Sequence, residues 1–383
     1  MPMDVDDHAP AILPRPRHAT LRVIATMTAV ASEPVRFALF DWIDESGRAL
    51  GDTYEERLQV LELADRAGFY CFHLAEHHAT ELSTVPSPNL FLSAVAQRTR
   101  RLRLGALSYV LPLYDPVRLL EEICMLDQLS RGRLEVGLSR GSTGEHIDDD
   151  PEKARAMFNE ALQVIVMGLS TGEVDYHGKH YDFDDVITRL RPIQRPYPPM
   201  WYPTSNVDSI PWIAAQGLNT AFSVALSANF AQTAAMVQQY RAEYARHGLG
   251  PRRLNGHVAE PNYGFSAHIH VAESDAKARD QARPAYERFM HNFTYRFVRR
   301  GQPERYADRR NFDDELQRGR VVVGSPGTVR EQLTAYVQAS GANYVIGCFA
   351  FGSMPLEQVL ESVDLFARDV IPAFVPSPQE ARA

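Results

Sequence analysis

A carboxylate and two histidines stand side by side at Glu76-His77-His78, directly after an apolar run over 69–74 that predicts a strand. Such a trio could bind a metal ion, transfer protons, or form a structural hydrogen-bond cluster. Metal binding is disfavoured, because adjacent residues at a strand end diverge and the sequence contains no H-E-x-x-H motif, so we predict no metal site. A proton-transfer role, with Glu76 orienting an imidazole, and a structural role both remain open.

Two further polar groups follow apolar runs and could bind an anion together. Ser139 and Arg140 follow the run over 134–138, and Ser205, Asn206 and Ser209 follow the run over 200–202. An arginine presents a charged fork that suits phosphate, and the free backbone amides at a helix start attract anions. Ordinary helix capping explains Ser and Asn at such positions equally well. If the two strands adjoin, the arginine and the helix start converge on one anion.

The three polar groups can form one site only if the fold brings the ends of their strands together. Strand-like and helical patterns alternate from residue 35 onward, and the strands are too apolar to be half exposed, which predicts a parallel sheet covered by helices. The predicted strands are 35–40, 69–74, 102–107, 134–138, 200–202, 220–224, 265–271 and 343–349. We therefore predict an α/β protein with a single (β/α)8 TIM barrel, whose active site lies at the carboxyl ends of the strands. An open doubly wound sheet is less favoured, because no G-x-G-x-x-G follows the first strand.

The chain divides into three parts in this interpretation. Residues 1–34 are expected to be a flexible N-terminal extension, with a cleaved signal segment as the alternative, residues 35–376 form the barrel, and 377–383 form a C-terminal tail. Within the barrel, residues 171–199 are expected to be a loop, and a helix is expected to begin at Asp275 and end near Met290. Residues 291–320, before the eighth strand, contain eight arginines among aromatic residues and predict a lid or an inert insertion.

Composition excludes several classes of protein. The 383 residues carry a net charge of −8, the wrong sign for a nucleic-acid surface, and no apolar stretch is long enough to span a membrane. The cysteines Cys71, Cys124 and Cys348 are far apart in apolar surroundings, which disfavours a disulfide framework and a CxxC metal site. We expect a protein of the cytoplasm that acts on a small molecule.

Several motifs, in this order, resemble the bacterial luciferase-like family of flavin-dependent monooxygenases. They are Glu76-His77-His78, the segments 102–105 and 110–118, the run L-D-Q-L-S-R-G-R at 126–133, S-R-G at 139–141, V-G-S-P-G at 323–327 and D-L-F-A-R-D-V-I-P at 364–372. The resemblance runs from about residue 35 to residue 372.

The resemblance implies a barrel that binds reduced FMN and transfers one oxygen atom from O2 to a small organic substrate through a flavin hydroperoxide. It implies that His77 forms or steers this intermediate, with His78 and Glu76 beside it. Reduced flavin would come from a separate NAD(P)H:flavin reductase. The resemblance further implies a homodimer packed through the helices that begin near Thr53 and Asn89.

The resemblance also implies a flavin-binding set. Arg140 would contact the flavin phosphate, completed by the helix start at Ser205, Asn206 and Ser209, and the ring would pack on an unusual backbone turn at Leu107 and Ser108. Ser139, in the same set, stands where the luciferase catalytic chain has a reactive cysteine, which puts light emission in doubt. Two alternatives stay open: a hydride-transferring enzyme that uses the deazaflavin F420, and a flavin-binding protein without catalysis.

Overall fold

A computed structural model describes residues 34–141, 150–247 and 253–375. The predicted C-terminal tail and residues 1–33 of the predicted extension lie outside these ranges. Strands β1 to β12 are Arg36–Asp41, Cys71–Leu74, Arg103–Ala106, Tyr109–Val110, Val136–Ser139, Glu173–His177, Asp182–Ile187, Met200–Trp201, Thr220–Ser223, Tyr263–Val271, Val321–Gly324 and Tyr344–Cys348. Helices α1 to α10 are Leu50–Ala67, Pro88–Arg98, Pro116–Ser130, Pro151–Thr171, Ile210–Ala215, Phe230–His247, Asp275–Arg299, Phe312–Gln317, Pro326–Ser340 and Leu356–Asp369.

The strands form a mostly parallel sheet, which confirms the predicted α/β class. One parallel sheet has the order β11-β10-β12-β1-β2-β3, with β9 also paired to β10, and a second has the order β4-β5-β8. Isolated parallel bridges join Leu104 to Leu134 and Trp201 to Asn219, which links β3 toward β5 and β8 toward β9. Only β6 and β7 pair antiparallel among the described strands. The carboxyl ends of the parallel strands consequently share one edge, where the candidate site lies.

Local signals in the sequence explain several element boundaries. Helix α3 begins at Pro116, and the Asp115 carboxylate caps it by accepting a hydrogen bond from the Arg118 backbone N–H at 2.9 Å. Strands β3 and β5 approach so closely that a Cβ atom at Gly105 would overlap the Glu135 carbonyl, and one at Gly137 would overlap the Ala106 carbonyl. These two glycines permit the close packing of strands just below the candidate site.

Two segments differ from the prediction. Residues 171–199, expected to be a loop, contain the hairpin β6–β7. Helix α7, expected to end near Met290, continues to Arg299 because Asn292, Thr294 and Phe297 keep one of its faces buried. The remainder of 291–320 contains the short helix α8, and the unpredicted elements β11 and α9 precede β12. The expected lid over 291–320 is therefore partly an extension of α7.

The core against the parallel strands is both apolar and hydrogen-bonded. A buried cluster is formed by Ala38, Cys71, Leu107, Trp201, Ala221, Tyr344 and Ile346. The Trp201 indole N–H donates to Glu135 Oε2 at 2.6 Å, and His73 Nε2 lies 2.9 Å from the Tyr344 hydroxyl. Burial lowers the pKa of His73 to about 3, so this imidazole is neutral at physiological pH. The polar groups of this core are thus paired with one another.

Two observations bear on the composition argument. Cys71, Cys124 and Cys348 are buried free thiols, as the sequence predicts. Among the helices of the described ranges, none combines the length and the apolar character that crossing a membrane requires.

Candidate active site

The centre of the candidate site is Glu76, just beyond the carboxyl end of β2. Its side chain is fully buried, and Oε1 lies 2.8 Å from His78 Nε2. Oε2 accepts hydrogen bonds from the Val110 backbone N–H at 3.1 Å and from the Tyr114 hydroxyl at 2.9 Å. Each carboxylate oxygen therefore has a partner, and Glu76 fixes the position of His78. The oriented imidazole of the sequence argument is thus His78, whereas His77 lies next to this pair and is partly exposed.

Strand β4 connects Glu76 to the next part of the site. Val110 donates its backbone N–H to Glu76, and the neighbouring Tyr109 accepts a hydrogen bond at its carbonyl from Ser139 Oγ at 3.3 Å. The ends of β2, β4 and β5 are thereby joined by one chain of hydrogen bonds. The Tyr109 hydroxyl donates to Asn89 Oδ1 at 2.5 Å, away from this chain, and burial raises its pKa far above the ordinary value. Tyr109 is therefore a structural hydrogen-bond donor at physiological pH.

A cis peptide bond joins Leu107 to Ser108, between β3 and β4. This is the position where the resemblance implies an unusual backbone turn. The side chains of Leu107 and Ser108 are mostly buried, with 8% of each residue exposed. The segment leads directly into Tyr109 and Val110, so it lies beside the Glu76–His78 pair. The packing of a flavin ring against it stays a prediction.

Arg140 lies at the carboxyl end of β5, next to Ser139. It is partly buried, and within 34–141, 150–247 and 253–375 its guanidinium has no hydrogen-bond or ion-pair partner. Two arginines below this edge are ion-paired instead: Arg103 contacts Glu135, and Arg57 contacts Asp41 at 2.7 Å. An unpaired, partly buried guanidinium at the edge of the site suits an anionic ligand.

The second half of the expected anion site follows β8. Strand β8 pairs with β5, so the two halves lie at adjoining strands, as convergence on one anion requires. Asn206 Oδ1 accepts the Asp208 backbone N–H at 3.0 Å, which is ordinary capping of the short 3-10 turn Val207–Ser209. Ser205 is exposed, and Ser209 is partly exposed and makes no side-chain capping bond to α5. The expected helix start is thus this turn followed by α5. The structure brings the two segments to neighbouring strand ends, with Asn206 used as a cap.

Sequence reasoning missed three contributors to this region. Tyr114 and the Val110 backbone amide hold Glu76, and no local pattern marks them, because their contact spans 34 to 38 residues. His268, on β10, is buried and both of its ring nitrogens lack hydrogen-bond partners within the described residues. The predicted strand over 265–271 could have drawn attention to His268, since alternation along that strand places it on a defined face.

One cluster outside the site has metal-ligand character. Asp175, His177 and Asp184 on the β6–β7 hairpin have ligand atoms within 4.8 Å of one another, and all three residues are exposed. The His177 imidazole is already bonded to Asp182 through Nδ1 at 2.7 Å, and this contact raises its pKa. Salt bridges on a solvated hairpin account for the cluster.

Comparison with known proteins agrees with this fold. Residues 35–343 match the family model described as luciferase-like monooxygenase. The chain is 36% identical over 337 residues to the uncharacterized protein y4wF of Sinorhizobium fredii, covering 87% of this chain and 96% of that protein. It is 25% identical over 375 residues to the oxygenase component of flavin-dependent trigonelline monooxygenase from Acinetobacter baylyi, covering 91% of this chain and 98% of the relative.

Two solved structures share the fold. The oxygenating constituent of 3,6-diketocamphane monooxygenase from Pseudomonas putida, in complex with FMN, superposes with a TM-score of 0.72 at 18% identity, over 90% of this chain and 100% of that one. The coenzyme F420 dependent tetrahydromethanopterin reductase of Methanopyrus kandleri superposes with a TM-score of 0.68 at 16% identity, over 89% of this chain and 100% of that one.

The fold and the family match agree on the class of protein. The chain belongs to the luciferase-like monooxygenase family, as the motifs of the sequence predict. It is an oxidoreductase of the monooxygenase type.

Proposed function

We propose that this protein is the oxygenase component of a two-component system, which uses reduced FMN and O2 to transfer one oxygen atom to a small organic substrate. The observation that carries the proposal is Arg140, a partly buried guanidinium without a partner among the described residues. It lies at the end of a strand that hydrogen bonds connect to the Glu76–His78 pair. A phosphate group is the natural partner for such a cation, and FMN carries one.

The described residues offer a set that fits FMN. Arg140 would hold the phosphate, with Ser139 beside it and the segment of Ser205, Asn206 and Ser209 on the neighbouring strand end. Leu107 and Ser108 would lie against the flavin ring. When bound, reduced FMN would supply the reaction with O2, which no amino-acid side chain performs.

The chain's own residues position and protect the reacting groups. Glu76 holds the His78 ring through a 2.8 Å contact and is itself held by Val110 and Tyr114, so the imidazole has little freedom to rotate. His77 and His78 place two imidazoles, the side chain that most often serves as a general acid or base, at this end of the strands. Phe40 and Trp42, in edge-to-face contact at 4.6 Å, form an apolar wall that excludes water from this end of the strands.

The proposal includes the architecture and partners that the sequence predicts. The parallel ladders with the bridges at Leu104 and Trp201 support closure of the strands into one (β/α)8 barrel over 35–376, with 291–320 as its lid. The relative described as an oxygenase component supports a separate flavin reductase. A homodimer is supported by Leu90 on α2, which is 77% exposed, and by Met125 and Leu129 on the adjacent α3, which are 52% and 44% exposed.

Rapid mixing tests the function directly. The protein is loaded with reduced FMN without oxygen, then mixed with O2 while the absorbance spectrum is recorded. We expect tight binding of reduced FMN and a transient spectrum that differs from those of reduced and oxidised FMN. In His77→Ala the transient should decay faster and less product should form per flavin oxidised.

The control is His177→Ala, which removes an exposed histidine on the β6–β7 hairpin and should behave like the wild type. Oxidation at the rate of free reduced FMN, without binding, would refute the proposal. Binding of F420 in preference to FMN would support the hydride-transfer alternative. Tight FMN binding with no effect of His77→Ala would favour a binding protein without catalysis.

A further inference from the structure

His268 is a buried histidine whose ring makes no hydrogen bond to the part of the chain that the structure describes. Only 1% of it is exposed, and neither Nδ1 nor Nε2 has a hydrogen-bond partner within the described residues. Burial lowers its pKa to about 3, so the ring is neutral and offers one N–H donor and one acceptor nitrogen. Buried polar groups are nearly always paired in folded proteins, because an unpaired one loses its hydration without compensation. The imidazole therefore has room in its hydrogen bonding for a partner that the described residues do not supply.

Aromatic rings enclose this imidazole. Trp42 stacks on it with a centroid distance of 5.4 Å and an interplanar angle of 13°, and Phe289, Phe351 and Tyr286 lie at 4.4, 5.1 and 5.8 Å. The Tyr286 hydroxyl donates to the Arg309 carbonyl at 3.1 Å and is engaged there. The surroundings are thus apolar and uncharged, with the imidazole as their hydrogen-bonding group.

We call the four rings around His268 the aromatic box; they belong to Trp42, Tyr286, Phe289 and Phe351. The aromatic box and the proposed flavin site follow different strands of the sheet. His268 pairs with Cys348 at the last register position between β10 and β12, Phe351 follows β12, and Trp42 follows β1, which pairs with β12. These neighbouring strands lie on one side of the shared edge. The candidate flavin residues follow β2, β3, β5 and β8 on the other side. Trp42 is partly exposed and packs against Phe40, so it separates His268 from the open end of the strands.

We propose that His268 is a specificity-determining residue that hydrogen-bonds an oxygen atom of an uncharged, ring-containing substrate whose apolar body packs against Trp42, Phe289 and Phe351. The Trp42 side chain moves aside when this substrate enters. The inference rests on the proposed monooxygenase function and adds the substrate class to it: a ketone or alcohol on a carbocyclic or aromatic body. Charged substrates are disfavoured, because the box contains no counter-ion and the neutral imidazole supplies none.

The test uses two probes of similar shape, acetophenone and its hydrocarbon isostere cumene, with the full-length protein saturated with oxidised FMN. Equilibrium dialysis gives the two dissociation constants. We expect acetophenone to bind about three- to tenfold more tightly than cumene, the factor that one hydrogen bond between neutral groups provides. His268→Phe should abolish this preference, and His268→Gln, which retains an N–H donor, should keep part of it.

The matched control is His270→Phe. His270 is equally buried on the same strand, but its Nε2 bonds to Gln281 at 2.9 Å. This variant should keep the acetophenone preference. Because a variant could fail to fold, wild-type protein labelled with 15N-histidine provides a second measurement, in which acetophenone should shift the resonances of one buried neutral imidazole and cumene should not.

Equal binding of both probes by the wild type, or a preference that survives in His268→Phe, would overturn the proposal. An unshifted imidazole spectrum at saturating acetophenone would also overturn it. Failure here is distinguishable from failure of the proposed function. Oxygen chemistry on reduced FMN without a ketone preference removes only the role of His268, whereas a ketone preference in a protein that does not react reduced FMN with O2 supports the pocket alone.

Discussion

Replacement of Arg140 by alanine tests the proposed phosphate contact. The guanidinium has no partner within the described residues, so Arg140→Ala breaks no hydrogen bond in that part of the fold. Hydrogen bonds to a charged group contribute about 1.5–3 kcal/mol. Reduced FMN should therefore bind roughly ten- to a hundredfold more weakly to the variant. Riboflavin, which has the same ring system and no phosphate, should bind equally well to both proteins.

The assay measures the binding of both flavins and the melting temperature for the wild type and for each variant. Anaerobic titrations of wild type and variant with reduced FMN and reduced riboflavin give four dissociation constants. Arg133→Ala is the structural control, because the Arg133 guanidinium donates to the Leu102 carbonyl at 2.6 Å and to Thr99 Oγ1 at 2.8 Å. That variant should have a lower melting temperature, and any weakening of binding should affect the two flavins alike.

A different result would refute this reasoning. If Arg140→Ala weakens FMN and riboflavin binding equally, the arginine does not contact the phosphate. If it lowers the melting temperature as much as Arg133→Ala does, the guanidinium has a structural partner. Glu145 and Asp148, two carboxylates a few residues further along the chain and outside the described residues, would then be the candidates for that partner.

Two further predictions concern stability and assembly. Burial raises the pKa of the Asp44 carboxyl from 3.8 to about 6, because it disfavours the charged form. The stability that the protonated carboxyl contributes is therefore complete below about pH 4. The free energy of unfolding should fall by about 3 kcal/mol as the pH rises through 6. Asp44→Asn should therefore raise the melting temperature relative to wild type more at pH 8 than at pH 5, and an equal difference at both pH values would contradict the assignment. In sedimentation, Leu90→Glu should convert the dimer into a species near 43 kDa. Leu226→Glu, at another exposed leucine, should leave the dimer intact. A wild type that sediments only as a monomer would rule out the dimer.

Local sequence determined much of the framework. Apolar runs bounded by turn residues predicted the strands that became β1, β2, β3, β5, β8, β9, β10 and β12, because burial on both faces imposes a composition that is visible over a few residues. Asp115 and Pro116 marked the start of α3 for an equally local reason. The rule that active sites lie at the carboxyl ends of parallel strands then selected Glu76, His77, His78 and Arg140.

The tertiary structure decided which of these residues act together. Glu76 pairs with His78, and the atoms that hold it, the Val110 amide and the Tyr114 hydroxyl, come from a segment more than thirty residues away. That Arg140 and His268 have no side-chain partner among the described residues likewise depends on every element packed around them, so no window of sequence contains it. Pairing of β11 with β10 and continuation of α7 to Arg299 also depend on distant partners. Residue type and local periodicity thus determined which groups could do chemistry, and long-range packing decided which of them remain available to a ligand.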